Sequence, residues 1–486
     1  MSKVRKSIFL SFGQNYFNFV LQFVSSIIIA RLLTPAEIGV FSVSMVIIGF
    51  AHRLRDFGAA SYVIQEKDLT TEKIRSAFAM TIITAWIMAA AIGFGSSYAA
   101  EFYREPGVKS VMLVLCLNFI LLPFGVIPMA YMQRQMNFRH VTTINILSNI
   151  GSSITTIGLA YGGFSYLALA WGSVVGIICN IVLATYLRPA GLPMLPGIKE
   201  IRKVFSFGSL SSLVMILNDI ANGIPDLLLG RISGMAVVGY FGRAMGLVSM
   251  FDRFVMSGLW SVALPHFAEQ SRNAVSVKES FLRSMSYATA LAWPFFICLA
   301  LFAHTVILVL YGAKWEPSVQ LLQLLCIAMA FLSPFLLLGS MMTAIGKMKQ
   351  NFYLLAAFVP IRILSVFVAA PYGLNAVGAA FVVSNAIGAI LSYFQCKTVL
   401  GTNLRDFIRS LRESAGITLS AIIPALIVLL PPNGIFVENP WLNLSIGLVG
   451  CAFGWLGGVF LFRHPLRTEI GGMFMAARKS LISARS

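Results

Sequence analysis

The sequence predicts an all-α polytopic membrane protein. It should have about 14 transmembrane helices, in two six-helix lobes related by a parallel repeat plus a C-terminal helix pair. Three observations carry this expectation. The 486 residues are 58% hydrophobic and only 11% charged, where a soluble globular chain carries about 25% charged residues. Apolar runs of about 20 residues, the length a bilayer core requires, recur between charged or Pro/Gly breaks. The Lys and Arg residues concentrate in every second gap. The net charge of +18 would suggest nucleic acid in a soluble chain. Here the cations sit in short loops, so they read as orientation signals and no nucleic-acid partner is expected.

The spans fall at about 8–30, 36–60, 76–99, 109–131, 141–161, 165–187, 205–229, 236–263, 281–303, 318–342, 352–371, 375–397, 415–431 and 441–462. The start, Lys3, Arg5 and Lys6 before an apolar run, imitates a signal peptide. The run from Ile8 to Leu33 is too long for one, so it reads as a retained first span. With the N-terminus inside, 26 of the 36 Lys and Arg fall in inside segments and 5 in outside loops. That bias places both termini in the cytoplasm. The expected domains are a lobe over 1–190, a basic linker over 191–204, a second lobe over 205–400, and a segment over 401–486 with the last two helices and a basic tail. Pro196–Phe205 and Asn403–Arg412 read as short amphipathic helices on the inner leaflet. The six Cys residues are scattered within apolar runs, which predicts no disulfide framework, no metal site and no cofactor.

The repeat is visible at an offset of 200. Ten of the 51 pairs between 11–61 and 211–261 are identical, among them Asn18/Asn218, Arg31/Arg231, Gly39/Gly239 and Arg53/Arg253. In both copies a long apolar run, a tight link and a second apolar run follow one another.

Ionisable groups inside spans cost about 2.5–3.5 kcal/mol each at a helix centre and are functional suspects. In span 1, Asn15, Asn18 and Gln22 form one helical stripe. In span 7, Asp219, Asn222 and Asp226 do the same, with Asn218 beside them. Span 2 carries His52, Arg53, Arg55 and Asp56. Span 8 carries Arg243, Asp252 and Arg253, and span 11 carries Arg362. The arginines, His52 and the asparagines Asn18, Asn218 and Asn222 are candidate substrate contacts, since guanidinium forks suit phosphate oxygens. Asp56, Asp219, Asp226 and Asp252 are candidates for ion coupling. Arg31 and Arg231 sit at outer helix ends, where snorkelling is an equal explanation. Arg53 with Asp56 could equally be a local pair, and the Asn stripes could serve helix packing. Walker A, GxGxxG, zinc-ligand spacing and a nucleophile elbow are all missing from the sequence, so no enzyme chemistry is expected.

Several stretches carry a resemblance. Ala30-Arg-Leu-Leu-Thr-Pro-Ala-Glu-Ile-Gly39, Asp56-Phe-Gly58 with Ile64-Gln65, Met132-Gln-Arg-Gln-Met-Asn-Phe138, Tyr311-Gly-Ala-Lys-Trp315 and Leu321-Leu-Gln-Leu-Leu-Cys326 together resemble the Wzx-type polysaccharide flippases, in the colanic acid exporter-like branch of the multidrug/oligosaccharidyl-lipid/polysaccharide exporter superfamily. The resemblance spans nearly the whole chain. It implies a bacterial inner-membrane transporter that flips oligosaccharide repeat units on undecaprenyl diphosphate, for exopolysaccharide or lipopolysaccharide export. Membrane lipids, and the polymerase and chain-length proteins of the same pathway, are the implied partners. It also implies that Arg53 and Arg253 meet the diphosphate. The rival readings are a drug/cation antiporter of the same superfamily, a membrane glycan polymerase or ligase, and a lipid scramblase.

Overall fold

The computed structural model describes residues 3–55, 59–189, 191–193, 195–201, 223–273, 276–429, 440–469 and 472. Among them there is no β-strand, and helices account for nearly the whole chain, as a bilayer solvent demands. In chain order they are α1 (Lys3–Leu32), α2 (Pro35–Arg55), α3 (Ala59–Gln65), α4 (Thr71–Tyr103), α5 (Pro106–Leu121), α6 (Pro123–Arg134), α7 (Phe138–Tyr161), α8 (Leu167–Tyr186), α9 (223–232), α10 (Met235–Val248), α11 (Ser257–Arg272), α12 (Val277–Leu301), α13 (Ala303–Leu310), α14 (Ser318–Leu332), α15 (Leu338–Ala344), α16 (Met348–Ala369), α17 (Leu374–Leu400), α18 (Leu404–Leu429) and α19 (Pro440–Leu461).

Eleven described helical segments are long and apolar enough to cross a membrane. They number twelve when α5 and α6, bent by 49° where Pro123 begins α6, are taken as one span. Two expected spans remain. One is α7, a 24-residue helix at the expected place, which carries Thr142, Thr143, Asn145, Ser148, Asn149, Ser152 and Ser153 and is too polar to count. The other, 205–229, lies mostly outside the described residues, which include only its helical end in α9. The chain is a multi-pass membrane protein.

The chain forms two compact units, Met1–Gly242 and Arg243–Ser486. In the first, the start of α2 is set by a capping box. The Thr34 backbone N–H donates to Glu37 Oε2 at 2.6 Å, the Glu37 N–H donates to Thr34 Oγ1 at 3.3 Å, and Pro35 takes the first helical position, which has no use for an N–H. Four residues on, Gly39 lies against the Met235 carbonyl that opens α10. Gly239 of α10 lies in the same way against the Pro35 carbonyl that opens α2. A Cβ at either glycine would collide with backbone, so only glycine permits the approach. The two contacts exchange under the offset of 200, so the repeat appears in the packing as well as in the sequence.

The stretch from Pro196, expected as an inner-leaflet helix, runs as loop through Glu200. The Pro-Gly pair breaks helix there, and α4 takes the backbone donors. Gly197 N–H donates to Arg75 O at 3.0 Å and Glu200 N–H to Ser76 Oγ at 3.0 Å. The other expected surface helix, 403–412, is instead the first turns of α18, continuous with the span that follows.

In the second unit α12, α18 and α19 form a seam. Lys278 pairs with Asp406 at 2.7 Å, and the Ser414 hydroxyl donates to Ser286 O at 3.0 Å. The Trp455 indole donates to Ala290 O at 2.8 Å. His464, just past α19, is 1% exposed and lies 2.8 Å from Ser286 Oγ. Its Nδ1 accepts from the Leu466 N–H, so the proton belongs on Nε2, which donates to Ser286. Burial pushes this imidazole down to about 4. All six cysteines are free thiols; Cys298 and Cys451 sit 3.3 Å apart as a thiol–thiol hydrogen bond across the seam.

Candidate functional site

The suspect residues occupy four settings. The first is on α2. His52 stacks on the buried Phe119 ring of α5, with centroids 4.4 Å apart and planes 28° apart. Arg55 is only 8% exposed. Arg53 lies on the last turn of α2, and its side chain is not described. Asp56, Asn218, Asp219 and Asn222 lie outside the described residues. On α1, Asn15 and Gln22 are exposed, and Asn18 is half-buried, its Oδ1 without a hydrogen-bond partner among the described residues.

The second setting is α9. Gly223 faces Val46 and Phe50 of α2, and Gly230 faces Val43. Asp226 falls between these glycines at i+3 and i+7 spacing, so it shares the stripe that packs on α2. Its Oδ1 is buried and has no hydrogen-bond partner among the described residues. Arg231, at the end of the same helix, lies over the Phe102 ring at 5.2 Å, and Arg31 is exposed at the end of α1.

The third setting contains Arg243 and Arg253. The Arg243 guanidinium lies 5.6 Å from the ring centres of both Tyr311 and Trp315. Both aromatic residues are buried, Trp315 completely. The turn that brings them together needs Gly312 at φ 93°. Nine residues beyond Arg243, the α-helix gives way to one π-turn, Asp252–Met256, of the kind that frequently marks functional sites. Asp252 begins it, with Oδ1 buried and unpartnered among the described residues. Arg253 follows, exposed.

The fourth is Arg362 of α16. Its Nη2 donates to Asn385 Oδ1 at 2.7 Å, and the guanidinium stacks over Phe358 at 4.6 Å and Phe381 at 5.5 Å. Asn385, on α17 and fully buried, passes the contact on by donating to Ala328 O at 3.0 Å. The Arg362 Nε is buried without an acceptor among the described residues. Sequence reading missed Asn385; an Asn in an apolar span was its only signal.

Three of the motifs behind the resemblance turn out to be joints, while Asp56-Phe-Gly58 lies outside the described residues. Arg134, in Met132-Gln-Arg134, donates to the carbonyls of Val63, Ile64, Glu66 and Lys67, clamping the end of α3 where Ile64-Gln65 lies. Tyr311–Trp315 cages Arg243, and Thr34–Glu37 starts α2. Among the described residues no group of three or more His, Cys, Asp or Glu could hold a metal ion.

A family model described as "Polysaccharide biosynthesis protein" matches residues 28–320. The chain is 24% identical over 477 residues to the lipopolysaccharide biosynthesis protein WzxC of Escherichia coli (strain K12), covering 95% of this chain and 94% of that one. It is 23% identical over 436 residues to the succinoglycan biosynthesis transport protein ExoT of Rhizobium meliloti (strain 1021), covering 88% and 87%. Its fold matches that of the lipid II flippase MurJ in an inward closed conformation, with a TM-score of 0.72, 13% identity, and coverage of 94% of this chain and 99% of that one.

Proposed function

We propose, because the chain belongs to the polysaccharide biosynthesis protein family, that it is a transporter and not an enzyme. Its cargo is an oligosaccharide repeat unit on undecaprenyl diphosphate. It moves this lipid from the cytoplasmic to the periplasmic leaflet of a bacterial inner membrane by alternating access, for exopolysaccharide or lipopolysaccharide export. The observation that carries the reading is similarity over nearly the whole chain to a biosynthesis protein of lipopolysaccharide and a transport protein of succinoglycan. Two six-helix lobes, 1–190 and 205–400, move against each other, with both termini cytoplasmic, as the 26-to-5 cation bias favours.

Within this reading Arg53 and Arg253 meet the diphosphate. Exposure of Arg253 on its π-turn supports this, and its equivalence to Arg53 in the repeat extends it to the first lobe. Arg243 holds the fold instead, since both aromatic partners are buried with it. Asp226 is the described carboxylate we assign to coupling transport to a proton or cation, since its buried Oδ1 has no hydrogen-bond partner among the described residues.

Deleting the gene and extracting lipids tests the cargo. The repeat unit on its lipid should accumulate on the cytoplasmic side while surface glycan falls; unchanged lipid pools and unchanged glycan would remove the reading. Flipping in proteoliposomes, with and without a proton or sodium gradient, tests the coupling. A rate indifferent to both gradients would release Asp226 from that role.

A further inference from the structure

A groove opens between α12 and α14 on the second unit, with a volume of about 760 Å³. Its walls include Trp293, Ile297, Ile327, Ala330 and Phe331, and Leu411 of α18 lies at one end. The polar groups along it are already satisfied. The Trp293 indole donates to Ala330 O at 3.0 Å, and the Gln323 amide donates to Ala300 O at 3.3 Å. What remains is apolar wall that offers a guest chain contact but no hydrogen bond. Along α14 and the turn that follows it the walls run from Gln323 to Pro334. Eleven helical rises make this about 16 Å, or one leaflet of a hydrocarbon core about 30 Å thick.

The Leu411 end leads onto the first turns of α18. Leu404, Ile408 and Leu411 follow one another at i, i+4 and i+7, and the first two are exposed. One position further round, Arg405, Arg409 and Arg412 repeat the same spacing, and all three are exposed. The acids of these turns leave that stripe cationic. Asp406 is held by Lys278 and by the Asn403 N–H, and Glu413 is the other acid of these turns, against three arginines. An apolar path therefore ends, at Leu411, beside a row of three cations at the membrane surface.

We propose that this groove and stripe hold an anionic diacyl phospholipid of the surrounding bilayer, with acyl chain in the groove and phosphate on Arg405, Arg409 and Arg412. A resident lipid fits better than a translocated one. The three arginines stand on exposed positions, within reach of the headgroups of the surrounding bilayer, which supply this anionic chemistry in excess. The site is independent of the transport reading and would stand if that reading fell. Each arginine at a membrane surface multiplies preference for anionic lipid by about fivefold, so the stripe gives roughly a hundredfold.

Trp293 supplies the test. Full-length protein is reconstituted in phosphatidylethanolamine vesicles containing a rising fraction of phosphatidylglycerol with brominated acyl chains. The Trp293 signal is the fluorescence lost in Trp293→Phe. It should be quenched with saturation at a low mole fraction of the brominated lipid. In the triple variant Arg405→Gln/Arg409→Gln/Arg412→Gln, whose changes are all on exposed positions, saturation should need roughly a hundredfold more. Equal quenching by brominated phosphatidylcholine would overturn the proposal in favour of any annular lipid. Tighter quenching by a brominated polyprenyl phosphate would overturn it in favour of the carrier lipid, and unsaturable quenching in the parent protein would remove the site.

Discussion

Arg243 and Arg253 lie ten residues apart on one run of helix, yet their surroundings are opposite. Arg243 is closed in by Tyr311 and Trp315. Arg253 follows a break in winding and is left open. The difference teaches how an arginine in a span should be read. The cost of inserting guanidinium into hydrocarbon makes every such residue a suspect. Aromatic faces offset that cost, by about 2 kcal/mol or more where water is excluded, and convert the suspect into a structural element. Only where no cage forms does the cost point to a ligand. Arg362 stands between the two, with rings on its faces and one Asn oxygen at its edge.

The strongest way to break the comparison is to open the cage. Trp315→Ala should cost about 3–5 kcal/mol, as large aromatic truncations in packed cores do. It also leaves the Arg243 charge poorly covered. The expected result is little or no folded protein by size exclusion in detergent, and no export. Full yield with an unchanged melting temperature would mean that the cage holds nothing.

The intermediate case comes next. Asn385→Ala removes the acceptor of Arg362 and the donor to Ala328 O together, at about 1–3 kcal/mol for the orphaned groups. Thermal unfolding should shift down with protein still present, and Asn385→Asp should recover part of the loss by pairing with the guanidinium. Arg253→Ala should do the reverse of Trp315→Ala. Yield and melting stay at the parent values, while flipping falls on the order of tenfold, about 1.4 kcal/mol. Arg253→Lys keeps the charge and loses the fork, so partial recovery measures how much the bidentate geometry contributes. A melting shift in Arg253→Ala comparable to that of Asn385→Ala would erase the distinction drawn above.

The smallest effect concerns a buried base outside the spans. The His464 value of about 4 in the fold lies below its ordinary 6.5. Between those values the unfolded chain binds more protons, so the stability from the α12–α18–α19 seam falls as pH drops from 6.5 toward 4. Above 6.5 the contribution is complete. A melting curve against pH should show that slope, and His464→Gln, which can still donate to Ser286, should flatten it.

Much of this was legible in the residues. Apolar run length announced the helical class, while the capping box that starts α2 at Thr34–Glu37 went unread, although its residues stand in the sequence. The repeat was legible too, because glycine, arginine and asparagine recur at one offset. The site was less so. Arg243 and Arg253 look alike in a string of letters, and only the packing of a turn 68 residues beyond Arg243, at Tyr311, tells them apart. Asn385 and Ala328 come from separate helices, and His464 meets Ser286 across 178 residues of chain. Hydroxyls and amides in spans are common enough that spacing gives no warning of such partners. Arg134 shows the same limit from the other side. Its motif was readable as a family signature, but its work on the carbonyls after α3 depends on a backbone that no periodicity describes.

The crossing of α2 and α10 carries a mechanical consequence. Gly39 receives the Met235 carbonyl, and Gly239 receives the Pro35 carbonyl. Each helix is notched by the other at a single height, four residues on from its own start. A notch of this kind blocks sliding, because any axial shift drives a carbonyl into the next side chain along. It does not block rotation about the point of contact. The two helices are thus fastened as by a pin, which can swing but cannot travel, and any large motion at that end of either helix must be an arc centred on two hydrogen-sized side chains.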